Sequence, residues 1–379
     1  MVAVPSRDAD QAGADEQVGT VTSSLAVLRG SVFMRMIVTG ASGKLGRLVV
    51  AALLGRVPAS ELILVSRSPD SLEDFARRGA TVRYGDFERP DSLSAAFAGG
   101  QRALVISTIG VQDTPAAHRA AFEEAVRSGV QHIVHTSVPN PVEDNPFPPA
   151  RVHLHSEQDL RATGIAWTIL RNALYAELRS RIATKYIRDG RWTTNTGSGS
   201  HAFVARTDCA AAAAAALTGD GSEGRVYDIT GPELVDAEQY VALLEEFGGH
   251  PIVRIEVNDA EYERYRAGFS ADPNNAAYFE LFAGTGEAIR AGYLNQVGTG
   301  VQHLTSRLPL SLREVFGRGS SSIRRDAARS RHAHLCTRCV GRARRPGVGR
   351  ELKLEAVYRL RRRPDEGTTY WMIAYRRAG

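Results

Sequence analysis

The chain has 379 residues, 43% hydrophobic and 23% charged, which is enough apolar material for one sizeable core and a smaller second region. Its net charge of +5 hides an asymmetry: residues 318–379 hold 17 Lys/Arg against 5 Asp/Glu, a surplus of 12, which leaves −7 for everything before them. The body is therefore not read as a nucleic-acid binder, and three cysteines, two of them in the basic tail, do not make a disulfide framework.

The first 33 residues begin polar and acidic and lack a basic stretch followed by a long apolar core. Leu25–Phe33 is too short and interrupted to span a membrane. They read as a disordered extension, with Met34 or Met36 opening the folded part. No membrane partner is expected, and the default compartment is the cytoplasm.

From Met36 a short apolar strand runs into Gly40-x-x-Gly43-x-x-Gly46 and then an apolar helix over Leu48–Leu54. Strand, glycine turn and helix in that order suit a dinucleotide. Gly40 lets the chain turn off the strand end, Gly43 lets the backbone approach a pyrophosphate, and Gly46 lets the helix pack on the sheet. The helix N-terminus then offers N–H groups to the phosphates, with Ser42, Lys44 and Leu45 in the same turn. Lys44 either adds charge near the phosphates or is simply exposed.

Short β-rich runs follow at Leu62–Ser66, Thr81–Tyr84, Ala103–Ser107, His132–Thr136 and Trp167–Leu170. Helical stretches lie between them at Ser71–Arg78, Asp91–Ala98, Ala116–Ser128 and Ser156–Ala162. Near-continuous apolar strands separated by helices predict an α/β fold with a doubly wound parallel sheet covered on both faces. Ligands of such sheets lie across the carboxyl ends of the strands, which singles out the residues just after each strand.

After the second strand comes Ser66-Arg67-Ser68, where NAD-dependent folds place an acidic residue for the ribose hydroxyls. Arg67 instead points to NADP, gripping a 2′-phosphate, unless it is a solvated loop arginine. After the third strand, Asp86 either accepts from an adenine amino group or shapes a turn, with Phe87 beside it. Ser107 and Thr108 would pass the cofactor's ribose, and Thr136-Ser137-Val138 would lie near the nicotinamide.

From about Tyr175 the alternation breaks into mixed pieces: an alanine-rich helix over Thr207–Leu217 headed by Asp208 as a cap, a strand over Arg225–Ile229 and a helix over Ala237–Phe247. Beyond residue 317, Ser320–Arg350 is aperiodic and rich in Arg, Gly and Ser and reads as disorder, while Leu352–Leu360 and Thr368–Tyr375 can form two strands. His332-x-His334-x-Cys336-x-x-Cys339 is a single cluster without a partner loop, and no metal is expected.

Met36-Ile-Val-Thr-Gly-Ala-Ser-Gly-Lys-Leu-Gly46, Val65-Ser-Arg67, Gly85-Asp86, His135-Thr-Ser137, His153 with Glu157, Leu170-Arg-Asn172-Ala-Leu-Tyr175 and Gly224-Arg-Val-Tyr-Asp-Ile-Thr-Gly231 occur in that order. Together they resemble the NmrA-like atypical short-chain dehydrogenases/reductases, in particular the NADPH-dependent quinone oxidoreductases among them. The resemblance covers roughly residues 35–317. It implies a Rossmann sheet with a smaller, discontinuous C-terminal α/β region on the substrate side, NADP as cofactor, a small-molecule substrate and a homodimer.

One departure bears on catalysis. Ordinary short-chain dehydrogenases use Tyr-x-x-x-Lys, in which lysine lowers the tyrosine pKa. Here Tyr175 is followed four residues on by Arg179, and the helix that should carry the pair reads His153-Leu-His155-Ser-Glu157. A quinone needs no such acid, because hydride arrival gives a stabilised hydroquinone anion that water protonates. Asn172 and Ser137 are then the expected hydrogen-bond donors to the developing oxyanion, and His153 a proton source or orienting group. The bland alternatives are a buried amide for Asn172 and a packed helix histidine bonded to the backbone for His153. Candidate pocket aromatics are Tyr175, Tyr278, Phe279 and Phe282, with Leu178 beside them. Two functions follow: an NADPH-dependent reductase of quinones or similar flat carbonyl acceptors, or an NADP-sensing regulator that binds without turnover.

Overall fold

The computed structural model describes residues 34–108, 114–267 and 284–318, together with the backbone of 352–360 and 370–377. In chain order its strands are β1 (Met36–Val38), β2 (Leu62–Ser66), β3 (Thr81–Tyr84), β4 (Arg102–Val105), β5 (His132–Ser137), β6 (Ala166–Asn172), β7 (Leu174–Tyr175), β8 (Arg191–Thr194), β9 (His201–Val204), β10 (Arg225–Ile229), β11 (Leu234–Val235) and β12 (Val253–Glu256). Seven of them form one sheet in the order β10-β6-β5-β4-β1-β2-β3, every pairing parallel. Strands β1, β2 and β4 are buried along their whole length. That is why they read as unbroken apolar runs in the sequence.

The strand order reverses between β1 and β4, and ligands of open α/β sheets bind at such a point. Thr39 stitches it together: its hydroxyl donates to Leu104 O (3.1 Å) and accepts from Ile106 N–H (3.1 Å). On one face α1 (Lys44–Leu53) packs with the alanine-rich helix Arg206–Thr218. Alanine is the strongest helix former and has almost no side chain, so Ala212, Ala213 and Ala214 lie fully buried in this layer. On the other face Leu93, Phe97, Ala121, Phe122 and Leu160 close a second core.

The smaller region has its own core, built from Ala183, Ile187, Trp192, Tyr240, Leu244 and Phe316. Two small sheets, β11-β9-β7 and β12-β8, run through it. β7 follows directly on β6 and carries the chain from the large sheet into this region, so the two share the residues around 172–175. Among the described residues no helix is long and apolar enough to cross a membrane. The strands at Leu352–Leu360 and Tyr370–Arg377 pair antiparallel.

Three expectations are corrected. The helix expected over Ser156–Ala162 begins at Pro148, because Pro148 and Pro149 occupy its first turn, where a missing N–H costs nothing. The helix expected over Ser71–Arg78 is a 3₁₀ turn over Pro69–Leu72 followed by one α turn over Glu73–Ala76. Asp208 is not a cap: Ala205 holds that position, and the fully buried Asp208 accepts from Leu310 N–H (2.7 Å) and pairs with Arg307 (2.7 Å). It pins the C-terminal segment onto the alanine-rich helix.

Candidate active site

The glycine turn has the form a pyrophosphate needs. Gly40 sits at φ +60°, a left-handed conformation that L side chains rarely adopt. A Cβ at Gly46 would overlap Gly40 O and lie 2.8 Å from Ala41 Cα, so α1 can approach the strand end only without one. Gly43 is the N-cap of α1 and provides no side-chain acceptor, which leaves the first N–H groups of the helix for a ligand. Lys44 is exposed at the head of α1. Leu45 is buried in the core, so only its backbone can serve the site.

At the end of β2, Ser66 Oγ lies 2.8 Å from Ser42 Oγ and accepts from Ser68 N–H (2.9 Å), so the two loops that follow β1 and β2 are tied together. Between these serines Arg67 is exposed, and among the described residues it makes no hydrogen bond or ion pair. Asp86 accepts from Glu88 N–H (3.1 Å) through Oδ1, which makes it a turn aspartate with one carboxylate oxygen left over. Phe87 is half-buried and stands edge-on to His118 at 6.5 Å.

Beyond the ends of β4, β5 and β6 lies a cavity of about 240 Å³. Its walls include Ser107, Thr108, Ser137, Val138, Phe147 and Val152, and it takes in His153, Asn172, Tyr175 and Leu178. The glycine turn and the cavity both lie at the carboxyl ends of the parallel strands, the turn after β1 and the cavity beyond β4, β5 and β6. Tyr278, Phe279, Phe282 and the His332–Cys339 cluster lie outside the described residues.

Thr108 is held by a residue the sequence did not single out. Its N–H donates to His118 Nε2 (3.0 Å), and His118 Nδ1, 2.7 Å from Ser156 Oγ, must then carry the proton. Ser156 passes its own proton to Val152 O (3.0 Å). The rings of His118, His135 and His153 pack against one another with centroids 5.3–6.1 Å apart. Burial pushes all three imidazoles down to about 3, and their mutual charge repulsion adds to it. With its pKa lowered by burial, His153 is held in its neutral form, which disfavours the proton-source role and keeps that of an orienting group. It is not bonded to the backbone: His153 Nδ1 is buried without a partner. The only sign of His118 in the sequence was a histidine on the otherwise apolar face formed by Ala117, Ala121, Phe122 and Ala125.

Ser137 is also corrected as a donor. Its hydroxyl gives its proton to Glu157 Oε1 (2.7 Å), so only its lone pairs can face a ligand. Glu157 is fully buried, receives Arg171 bidentately (2.9 and 2.8 Å) and also takes Arg161 (3.1 Å). Burial alone would raise its pKa, but Arg171, Ser137 and Arg161 outweigh that and hold the carboxyl below the ordinary value. The helix position where a lysine is usual thus carries a neutralised carboxylate. Asn172 is buried and its Oδ1 is unpartnered. Burial pushes the Tyr175 phenol up; Arg206, 4.7 Å from the ring, and Asn172 oppose this without reversing it. Among the described residues of the cavity wall, His153 and Tyr175 are both shifted away from neutral pH by burial.

Residues 40–220 match a family model described as NAD(P)H-binding. Quinone oxidoreductase 2 of Escherichia coli is 32% identical over 225 residues, which span 59% of this chain and 78% of that protein. An NmrA-like family domain-containing oxidoreductase of Aspergillus flavus is 26% identical over 74% of this chain and 94% of its own length. The crystal structure of a Citrobacter sp. triphenylmethane reductase complexed with NADP(H) superposes with a TM-score of 0.69 at 32% identity, covering 75% of this chain and 99% of the other. By these matches the chain belongs to the NmrA-like atypical short-chain dehydrogenases/reductases and is an NAD(P)H-dependent oxidoreductase.

Proposed function

We propose that the protein uses NADPH to reduce a quinone or a similar flat carbonyl acceptor. The observation that carries this reading is the chemistry of the cavity wall: mostly apolar, lined by Phe147, Val138 and Leu178, with neither His153 nor Tyr175 among its described residues titrating near neutral pH. An alcohol-forming reduction needs a proton delivered to an alkoxide, for which His153 and Tyr175 are both unsuited. A quinone needs none, because its reduced anion is stable enough to take a proton from water.

When bound, reduced nicotinamide would supply the hydride. The chain's own part is to hold and orient. The N-terminus of α1 and Gly43 receive the pyrophosphate, Arg67 grips the 2′-phosphate, and Ser107 and Thr108 border the nicotinamide-side ribose. Asn172 and the protonated phenol of Tyr175 are neutral donors for the acceptor's developing oxyanion, while Ser137, fixed by Glu157, offers an acceptor. Similarity to the E. coli quinone oxidoreductase supports the same class of acceptor. The apolar cavity favours turnover over a purely nucleotide-sensing role.

The test is oxidation of NADPH and of NADH by the purified protein with benzoquinones and naphthoquinones, after nucleotide binding is confirmed by fluorescence. Acceptor-dependent turnover preferring NADPH is expected. Tight NADPH binding with no turnover on any acceptor would refute the reductase and restore the sensor.

A further inference from the structure

A second chamber of about 80 Å³ adjoins the first on the side of the smaller region. Leu174, Tyr175 and Leu178 line both, so a single layer of side chains forms their common wall. The chamber's remaining walls include Ile182, Tyr186, Phe203 and Tyr262. Two arginines border it, but Arg266 pairs with Glu263 and the Arg179 guanidinium lies over the rings of Phe203 and Tyr240 at 5.5 and 5.0 Å. The charges are thus engaged with the protein, and the aromatic and aliphatic faces are left for an occupant. Thr285, more than nine-tenths buried, also lines the chamber, and its hydroxyl has no partner.

We propose that this chamber receives a short apolar arm carried by the acceptor, so that the substrate class is an alkyl-substituted ring instead of a bare one. The proposal rests on the reductase reading of the first cavity. The volume sets the size of the arm: cavities that hold benzene measure roughly 150 Å³, so about half of that takes a chain of three or four carbons and not a second ring. With the reacting ring in the larger cavity, Leu178, which lines both, is the side chain that must swing aside for the arm to enter. Ile182 touches the chamber alone and therefore sets the room for the arm without touching the ring.

The experiment compares two acceptors with one redox ring: tetramethyl-1,4-benzoquinone, and the same ring with one methyl replaced by n-propyl. Two more buried methylenes should lower KM about tenfold at similar kcat. Ile182→Phe should raise KM for the propyl compound to the value of the methyl compound and leave the latter unchanged. Calorimetric titration of the same pair reads the chamber without turnover and should give the same tenfold ratio. Equal KM and Kd values in the unmodified protein, or a ratio that survives Ile182→Phe, would overturn the proposal. A tenfold Kd ratio with no turnover of either compound would instead refute the quinone reduction and leave the chamber assigned.

Discussion

Acidification should destabilise this fold well before its carboxylates protonate. His118, His135 and His153 are held neutral by burial, with pKa values near 3, whereas an unfolded histidine titrates at about 6.5. Between those values the unfolded chain binds more protons than the folded one, so stability is fully present above about pH 6.5 and is lost as pH falls toward 3. At pH 5.5 each histidine favours the unfolded state by about 1.4 kcal/mol, against about 0.1 kcal/mol at pH 7.5, so the three together remove about 4 kcal/mol. That is a large part of the roughly 5–15 kcal/mol that holds a domain together. Burial lowers His132 and His201 as well, which adds in the same direction. Glu157, whose pKa is lowered from 4.5, keeps its contribution throughout this window and loses it only further down. Urea unfolding at pH 7.5, 6.5 and 5.5 measures the effect. A fall of less than about 1 kcal/mol between the extremes would show that the imidazoles are charged or hydrated in the fold and would refute the neutral cluster.

Arg67→Asp should weaken NADPH binding by about ten- to a hundredfold and leave NADH unchanged or tighter, as read by nucleotide fluorescence; equal loss of both would remove the 2′-phosphate assignment. Gly46→Ala gains about 1 kcal/mol of helix propensity, yet its Cβ overlaps Gly40 O, so the clash should win: nucleotide binding is lost and the thermal midpoint falls, whereas a raised midpoint would contradict the packing. Glu157→Gln removes one partner of a buried ion pair and should cost about 3 kcal/mol in urea unfolding, because Arg171 and Arg161 are left uncompensated. A cost below about 1 kcal/mol would show that the arginines find water instead.

The centre of the large sheet was legible because its strands are buried on both faces, so that Leu62–Ser66 begins and ends where the apolar run does, whereas the edge strands Thr81–Tyr84 and Arg225–Ile229 were found by their β-branched and aromatic residues. The glycine turn was legible because each glycine meets a separate steric demand. The catalytic end was less so, because its groups are decided by partners far along the chain. Nothing local to Ser137 says that its proton belongs to Glu157, 20 residues on, and nothing local to His153 says that two other imidazoles pack against it. Asp208 shows the same limit: beside Thr207 it looks like a cap, and only its contact with Leu310, 102 residues away, reveals a clamp. The elements of the smaller region, such as β7, β8 and β12, are two to four residues long and carry no periodicity of their own.

The central claim is that the cavity passes hydride to an acceptor that needs no acid from the protein. The pH dependence of kcat for NADPH-driven quinone reduction tests it most directly. With His153 titrating near 3 and the Tyr175 phenol pushed up by burial, kcat should be flat from about pH 6.5 to 9. A sigmoid or bell with a midpoint inside that range would mean that a protein group delivers the proton, and would contradict the account.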